Sequence, residues 1–487
     1  MSINLQRLHG PGGFLQARRK GANFMVENRP YVPSLMVDLQ DETTVVNAVK
    51  VILSCVEEMK ADTETAAKVS IISGGLTNAL FRVDIDNEQP SSTTSVLVRI
   101  FGAEGMIDRD KETANFARLC NSKGSVVHSQ LDYLGRFGNG RIETLIPNVR
   151  AATICDFGGK EDLVLEATRQ MARLHYGFDI PEYLLEKDST ISSCGGEDGQ
   201  PKPVLLDVLA SWNNELITKI SQACSRDPQL VDIFSSALFG DTLQIDHIVG
   251  TEDGKDSNKS ALTEMISHIA HKLTRETRWI QDHVIEHHPD APTAFCHNDI
   301  NAGNILLNDG LESGDSNGYD RESVAMIDYE YAGFNYTMFD IANFICEHCG
   351  GNDNGIPDYR LMPSLEMQRK LLREYVEERD KVLNNAATKT INDDDEVATL
   401  LSQVQTFQMV SNLYWGSWGI LQGVTELLEG GYQIENVKLR LYGEIDIDEW
   451  DNLRYGKNRL SRYRELKQSM LETNQKQMSY LYHSGRL

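Results

Sequence analysis

Positive charge and long apolar runs are both scarce in this chain of 487 residues. Lys and Arg number 47 against 72 Asp and Glu, which gives a formal net charge of −25 at pH 7. Such an acidic surface argues against nucleic acid and anionic membranes as main partners, because both are negatively charged. No run of apolar residues is long enough for a transmembrane helix. We therefore expect a cytoplasmic globular protein with no nucleic-acid partner and no membrane span.

Cysteine is also sparse and scattered, with eight residues in the whole chain. The only C-x-x-C pair, Cys346 and Cys349, has no second pair with which it could complete a zinc site. The sequence also lacks the G-x-x-x-x-G-K-[ST] motif of P-loop enzymes. These absences predict free thiols and exclude a P-loop nucleotide site.

The pattern of apolar residues changes along the chain and predicts three regions: a flexible leader (1–36), a small lobe (37–150) and a large lobe (151–487). In the small lobe, strands are predicted at 68–72, 79–85 and 95–101, a helix near 106–120 and a strand pair within 126–146. In the large lobe, helices are predicted near 205–224, 261–286, 364–385 and 398–428. Polar insertions at 190–203, 250–259 and 309–322 are predicted to be exposed loops.

The segment FCHNDINAGNILLN contains the most informative motif. His297, Asp299 and Asn304 have the spacing H-x-D-x-x-x-x-N, which is typical of the catalytic loop of kinase-fold phosphotransferases. Such a loop needs a carboxylate that accepts a proton from a hydroxyl group and an amide oxygen that holds Mg²⁺. We expect His297 to orient the loop backbone through hydrogen bonds.

Two short apolar segments follow, Ile305-Leu-Leu and Ala325-Met-Ile. If they pair antiparallel across the 309–322 insertion, Asn304 lies close to Asp328, and two oxygen donors converge as a Mg²⁺ ion requires. The alternative interpretation is an ordinary hairpin with Asx turns. The apolar run that ends in Asp328 favours the metal site.

A second group of residues suggests a nucleotide site. Gly74 and Gly75 lie between two predicted strands and allow backbone N–H groups to approach phosphates. Neighbouring side chains that could add donors are Ser73, Thr77 and Asn78. The same segment also fits an ordinary hairpin turn.

Arg99 is a cation inside an otherwise apolar strand. It is predicted to project towards nucleotide phosphates, with Glu112 of the following helix as its ion-pair partner. The alternative is a surface cation on an alternating strand.

A third group suggests the second substrate. Trp415 and Trp418 project from one side of a predicted helix, and Glu347 and Tyr455 lie elsewhere in the large lobe. A carboxylate beside aromatic faces suits an organic ammonium ion through charge pairing and cation–π attraction. The alternative is a tryptophan pair that fills the core.

These motifs resemble the choline/ethanolamine kinase family from about Val69 to about Tyr463. The most specific stretches are the His297 motif, the segment IDYEYAGFNY that begins at Ile327, FDIAN at Phe339 and WGSW at Trp415. After Asp328 the chain reads Tyr-Glu instead of Phe-Gly, and no A-P-E segment follows, so a peptide substrate is not expected.

The resemblance implies an α+β protein with the bilobal protein-kinase-like fold, in which a small antiparallel-sheet N-lobe precedes a large, mostly helical C-lobe. It implies transfer of the γ-phosphoryl group of ATP to the hydroxyl of choline or ethanolamine, with Mg²⁺, and homodimers are common in the family. The roles it implies are catalytic base for Asp299, Mg²⁺ ligands for Asn304 and Asp328, nucleotide binding for Arg99, and an amine pocket of Glu347, Trp415, Trp418 and Tyr455.

The segment after Glu347 bears on the choice of amine. It reads His-Cys-Gly-Gly-Asn-Asp and lacks the aromatic residues that a trimethylammonium group needs around it. A primary ammonium can instead donate hydrogen bonds. We therefore predict an ethanolamine kinase that also accepts choline. The alternatives are a choline kinase proper, another small-molecule kinase of the aminoglycoside-phosphotransferase type, and a binding module without catalysis.

Overall fold

The computed structural model describes residues 18–20, 23–26, 28–56, 67–72, 78–86, 93–102, 107–122, 126–179, 203–240, 255–308, 319–320, 322–351, 354–383, 393–443 and 450–483. Two compact units are formed by segments that are discontinuous in sequence. Unit 1 comprises Met1–Lys202, Ala294–Phe334 and Glu374–Thr388, and unit 2 comprises Pro203–Thr293, Asn335–Arg373 and Lys389–Leu487.

Thirteen strands lie within the described residues. They are β1 (Arg18–Lys20), β2 (Asn23–Val26), β3 (Arg29–Val32), β4 (Ala67–Ile72), β5 (Asn78–Asp86), β6 (Thr93–Phe101), β7 (Tyr133–Phe137), β8 (Gly140–Thr144), β9 (Arg150–Ala151), β10 (Thr293–Cys296), β11 (Ile305–Leu307), β12 (Val324–Met326) and β13 (Gly333–Tyr336). The large sheet has the order β1-β2-β3-β7-β8-β6-β5-β4, and smaller sheets are formed by β12-β11-β9 and by β10-β13.

The helices of the described residues carry most of the remaining chain. They are α1 (Glu42–Ser54), α2 (Arg109–Asn121), α3 (Ile154–Gly159), α4 (Glu161–Gly177), α5 (Val204–Arg226), α6 (Leu230–Phe239), α7 (Lys255–His287), α8 (Thr337–Glu347), α9 (Leu365–Val382), α10 (Asp393–Gly430), α11 (Ile434–Tyr442) and α12 (Asn452–His483).

One face of the large sheet packs against α1. The helix begins after Asp41, whose side chain accepts a hydrogen bond from the backbone N–H of Thr43 and so caps the first turn. The core residues of α1 recur at helical spacing, and those of β5 and β6 alternate along each strand. This core contains Val45, Ala48, Val49, Ile52, Leu53, Phe81, Val83, Ile85, Val96, Val98 and Ile100.

The same alternation places Arg99 on the opposite face of the sheet. Its neighbours in β6, Val98 and Ile100, point into the α1 core, so the side chain between them points away from it. Strand β8 pairs antiparallel with β6 so that Arg141 lies opposite Arg99. A cationic pair within an apolar strand framework requires acidic partners on that face.

The hairpin of β11 and β12 is pinned from two sides. Strand β9 pairs with the free edge of β11, where Ala151 lies opposite Leu306. From α4, the amide of Gln170 donates to the carbonyl oxygen of Val324, at 2.9 Å. These contacts fix the position of the residues that flank the hairpin.

Helices α10 and α12 of unit 2 cross where both carry glycine. A Cβ atom added at Gly419 would lie 2.8 Å from the Cα of Gly456, and one added at Gly456 would lie 2.5 Å from the backbone nitrogen of Ile420. The two backbones are therefore in direct contact, and any side chain at this crossing would force them apart.

Most predicted elements are confirmed, including the strands at 68–72, 79–85 and 95–101 and the long helices of the second half. Seven cysteines are free thiols, as predicted, whereas Cys194 and most of the polar insertions lie outside the described residues. Residues 255–259, which were predicted to lie in an exposed loop, instead form the first turn of α7. Three segments of the predicted flexible leader form strands, namely β1, β2 and β3. Strand β3 adds in parallel to β7, and β2 and β1 pair in turn with β3 and β2. Within the described residues, no helix has the length and hydropathy of a membrane-spanning segment.

We expect Gly419→Ala to lower the free energy of unfolding by about 1–3 kcal/mol, because the methyl group overlaps backbone atoms that cannot move aside. Gly430→Ala, at the end of the same helix, is the matched control, since nothing lies within 4 Å of its Cβ position. Denaturant unfolding measures both. Equal stability of the two variants would contradict the tight crossing.

Candidate active site

The loop after β10 is organised by His297. This side chain is fully buried, and its Nδ1 accepts a hydrogen bond from the backbone N–H of Asp299 at 3.3 Å. The proton of the neutral ring therefore lies on Nε2, which donates to the carbonyl oxygen of Ile327 at 2.9 Å. His297 thus ties the catalytic loop to the end of the hairpin, in agreement with the backbone-orienting role predicted for it.

Asn298 and Asp328 both adopt a left-handed backbone conformation, with φ angles of 69° and 66°. Asparagine tolerates this region better than most residues. The Asn298 side chain compensates by donating to the carbonyl oxygen of Tyr331 at 2.9 Å. The surrounding hydrogen bonds therefore maintain the left-handed backbone conformation at Asn298 and at Asp328.

The Asp299 carboxylate is held by two amides of its own loop. Asn304 donates to Oδ2 of Asp299 at 3.1 Å and to its carbonyl oxygen at 2.9 Å. Asn301 donates to Oδ1 at 3.3 Å. The carboxylate is only partly buried, so it has a fixed orientation while it stays accessible.

The predicted antiparallel pairing of the two apolar segments is confirmed. Ile305 lies opposite Met326, and the backbone N–H of Ile327 donates to the carbonyl oxygen of Asn304 at 3.0 Å. Asp328 is the next residue along the chain. The hairpin therefore brings Asn304 and Asp328 to the same end of its two strands.

Arg99 binds Asp328 directly. Its Nη1 lies 3.1 Å from Oδ1 of Asp328, and its Nε lies 3.1 Å from Oε1 of Glu143 on β8. The Arg99 side chain is buried, whereas that of Asp328 is 24% exposed. The open side of Asp328 is therefore available to a ligand.

The predicted ion pair between Arg99 and Glu112 is wrong. Glu112 instead binds Arg141 and Arg109. Arg141 in turn binds Glu143, at 2.6 Å. The two predicted residues belong to one network, but the residues of β8 stand between them because that strand pairs with β6.

The network continues to the segment after Asp328. Glu330 accepts from Arg109 and from the side-chain amide of Asn78, both at 3.0 Å. Asn78 is the last predicted nucleotide-binding residue of the 73–78 turn, and its amide is thus held next to Glu330. The predicted residues Ser73, Gly74, Gly75 and Thr77 lie outside the described residues.

These buried charges stabilise one another. Burial alone would lower the pKa of the Arg99 guanidinium, but the carboxylates of Asp328 and Glu143 raise that pKa above its ordinary value. Burial alone would raise the pKa of the Glu143 carboxyl, but Arg141 and Arg99 lower it. Arg99 and Glu143 therefore both stay charged at neutral pH.

The four residues predicted to bind an amine form a second cluster, in unit 2. The rings of Trp415 and Trp418 on α10 lie 5.7 Å apart, and Tyr455 on α12 contacts Trp418 edge to face at 6.4 Å. Glu347, the last residue of α8, is 4% exposed and binds Arg459 at 2.7 Å. Arg459 joins this carboxylate to the aromatic rings, because its guanidinium carbon lies 5.6 Å from the centre of the Tyr455 ring.

Five charged residues of these two clusters were not predicted from the sequence: Arg109, Arg141, Glu143, Glu330 and Arg459. Arg141 and Glu143 alternate with the core residue Ile142 in β8, and this alternation is the signal that could have placed them on the face of Arg99. Arg459 follows Tyr455 by one helical turn, but nothing local identifies its partner.

We expect Glu143→Gln to destabilise the protein by about 3 kcal/mol, because it removes a shared partner of two buried guanidinium groups. Asp394→Asn is the matched control: Asp394 is 73% exposed and its partner Arg373 is 49% exposed, and such pairs contribute about 0–1 kcal/mol. Thermal denaturation compares the two. Equal losses would show that the buried network has no special weight.

His348 provides a test of pH dependence. Its side chain is 6% exposed, and burial lowers its pKa from 6.5 to about 4. As pH falls below 6.5, the unfolded chain takes up a proton before the folded protein does, so stability is lost between pH 6.5 and 4. The His348→Gln variant should therefore lose about 2 kcal/mol less than the parent protein between pH 7 and pH 5.

Denaturant midpoints at the two pH values measure this difference. His268→Gln, which changes an exposed histidine of α7, should keep the parent dependence on pH. A His348→Gln variant with the parent dependence would contradict the neutral buried state of His348.

Known proteins are similar to this chain over most of its length. The family described as choline/ethanolamine kinase matches residues 69–464. A probable choline kinase 2 of Arabidopsis thaliana is 26% identical over 361 residues, which cover 73% of this chain and 79% of that protein. A probable ethanolamine kinase of the same plant is 27% identical over 368 residues, which cover 75% of each chain.

A solved structure is also similar. The ethanolamine kinase of Plasmodium vivax superposes with a TM-score of 0.56 at 18% identity, covering 88% of this chain and 90% of that one. This likeness confirms the predicted fold, an α+β protein of the protein-kinase-like type. With the family match extending over most of the sequence and including both residue clusters, the chain belongs to the choline/ethanolamine kinase family.

Proposed function

We propose that this protein transfers the γ-phosphoryl group of ATP to the hydroxyl of ethanolamine, with choline as a second substrate. Membership of the family supports a kinase that uses ATP and a small amino alcohol. The observation that carries the proposal is the catalytic loop, in which two amides fix the Asp299 carboxylate and His297 ties the loop to the hairpin.

Asp299 is proposed as the catalytic base. Its carboxylate is partly exposed, and the amides of Asn301 and Asn304 hold it in one orientation. A base that is fixed before the substrate arrives needs no reorganisation when it accepts the hydroxyl proton. His297 acts as a positioning residue, because both of its ring nitrogens are occupied by backbone groups.

Asn304 and Asp328 are proposed to hold Mg²⁺. Their amide and carboxylate oxygens are the hard donors that this ion prefers, and the hairpin brings both residues to one end of its strands. When bound, the ion would neutralise charge on the phosphates of ATP. Arg99, already bound to Asp328, would contribute a second positive charge to the same phosphates.

The nucleotide site is proposed to extend to Asn78 and Glu112. Asn78 is fixed by Glu330, and Glu112 fixes Arg109 and Arg141 behind Arg99. Glu112 therefore acts on the nucleotide through the guanidinium groups rather than by contact. Residues 73–77, which lie outside the described residues, are also proposed to bind phosphate through their backbone N–H groups.

The cluster of Glu347, Trp415, Trp418 and Tyr455 is proposed to bind the ammonium group of the substrate. A buried carboxylate, joined through Arg459 to a cluster of three aromatic rings, offers hydrogen-bond acceptors together with cation–π attraction. Ethanolamine is favoured because residues 348–351, His-Cys-Gly-Gly, add no further cage of phenol or indole rings.

The decisive experiment is a coupled ADP-release assay with Mg-ATP and a panel of ethanolamine, choline and an aminoglycoside. We expect kcat/KM to be highest for ethanolamine, lower for choline and negligible for the aminoglycoside. Absence of phosphoryl transfer to either amine would refute the proposed function. Cytoplasmic location and a homodimeric state are further proposals, tested by cell fractionation and by light scattering.

Asp299→Ala should lower kcat about 10²–10⁴-fold with little change in either KM, because it removes only the proton acceptor. Asp328→Ala should abolish Mg²⁺-dependent turnover while the thermal midpoint shows a folded protein. Asp282→Ala, which removes an exposed carboxylate from α7, is the control and should keep full activity. Near-normal turnover of Asp299→Ala would remove this residue from the mechanism.

A further inference from the structure

Arg459 of α12 is a charged residue with only 1% of its surface exposed. Its guanidinium group spans two other helices. One arm, Nη1, donates to Oε1 of Glu347 on α8 at 2.7 Å, and the other arm, Nη2, donates to Oγ of Ser411 on α10 at 2.9 Å. The planar group therefore bridges the carboxylate of the proposed amine site and the helix that carries both tryptophans.

Ser411 extends this bridge to a second position of α8. Its hydroxyl accepts from Arg459 and donates to Oδ1 of Asn343 at 2.8 Å. Asn343 lies one helical turn before Glu347, so the two side chains point to the same side of α8. The bonds from Arg459 and Ser411 thus hold two successive turns of α8 in a fixed position relative to α10 and α12.

Each of the three helices carries a polar residue and an aromatic or acidic residue one turn apart. On α12, Tyr455 precedes Arg459 by four residues, and the guanidinium carbon lies 5.6 Å from the centre of the tyrosine ring. On α10, Trp415 follows Ser411 by four residues. The hydrogen-bonded layer therefore lies directly beside the aromatic layer.

The charge of Arg459 changes what the carboxylate can offer to a ligand. A buried carboxylate requires a counter-charge, and Arg459 supplies it permanently. Burial alone would lower the pKa of the Arg459 guanidinium, but Tyr455 and Glu347 raise it above its ordinary value. A substrate cation thus meets a carboxylate whose charge Arg459 already balances. The binding free energy that the carboxylate adds therefore depends on hydrogen bonds to the cation.

We propose that Arg459 is a positioning residue that orients the Glu347 carboxylate and makes the amine site prefer a primary ammonium over a quaternary one. A primary ammonium has three N–H donors for the oriented carboxylate, whereas a quaternary ammonium has none and depends on the aromatic faces. The inference rests on the proposed function, because it assigns the ammonium group to Glu347.

Arg459→Lys tests the proposal, because lysine keeps the charge but cannot span Glu347 and Ser411 with a planar fork. We expect KM for ethanolamine to rise about tenfold or more, which corresponds to the loss of a charged hydrogen bond. KM for choline should change less, so the ratio of the two kcat/KM values moves towards choline. KM for ATP should stay at the parent value.

Arg462→Lys is the matched control on the same helix. Its guanidinium pairs with Glu465, which is 64% exposed, and both KM values and the substrate ratio should equal those of the parent protein. A parent-like ethanolamine KM and substrate ratio in Arg459→Lys would overturn the proposal. Parallel changes for both amines and ATP would also overturn it, because they indicate a merely structural role.

Ser411→Ala provides a test if Arg459→Lys does not fold. It removes the second arm of the bridge and leaves the ion pair intact, so we expect a smaller shift of ethanolamine KM in the same direction, with ATP KM unchanged. No shift would again reject the inference. Activity of the parent protein distinguishes the two hypotheses. If the parent protein phosphorylates neither amine, the proposed function is rejected. If the parent protein is active and the variants keep its KM for ethanolamine, only the role of Arg459 is rejected.

Discussion

A buried charge needs an opposite charge within hydrogen-bond distance, and this need organises one face of the large sheet. Arg99 and Arg141 lie on adjacent strands and would repel each other without Glu143 and Glu112. The alternation of signs continues to Asp328. The position of a residue at the end of the hairpin therefore depends on charges that β6 and β8 carry more than a hundred residues earlier in the chain.

The catalytic loop obeys the same logic with hydrogen bonds in place of ion pairs. Asn298 and Asp328 both have positive φ, a conformation that costs free energy for residues other than glycine. The bonds from Asn298 to Tyr331 and from His297 to Ile327 connect the two turned segments to each other. Hydrogen bonds between the two segments thus offset the free-energy cost of positive φ in each, and they fix the backbone from which the Asp299 and Asp328 side chains project.

Local patterns identified much of this architecture. The apolar runs at 79–85 and 95–101 predicted β5 and β6, and in the structure alternate residues of both strands face a common core. The apolar segments beside Asn304 and Asp328 predicted the hairpin, because two short apolar strands bury their residues when they pair antiparallel. The H-x-D-x-x-x-x-N spacing placed Asp299 and Asn304 on one loop, where the structure joins them by hydrogen bonds. Their roles as base and metal ligand stay predictions.

Partners that are distant in sequence could not be predicted in this way. Glu143 is 44 residues from Arg99, and Arg459 is 112 residues from Glu347. Periodicity shows which face a side chain occupies, but it does not show which other element covers that face. Glu112 was expected to pair with Arg99, but the register of β8 places Arg141 beside it instead.

The contact of Gly419 with Gly456 bears on how this part of the chain can diverge between relatives. Because the two backbones touch, the relative position of α10 and α12 is set by steric contact at the crossing and not by the connection between them. Residues 431–451, which include α11, can therefore gain or lose length during evolution without displacing Trp418 from Tyr455.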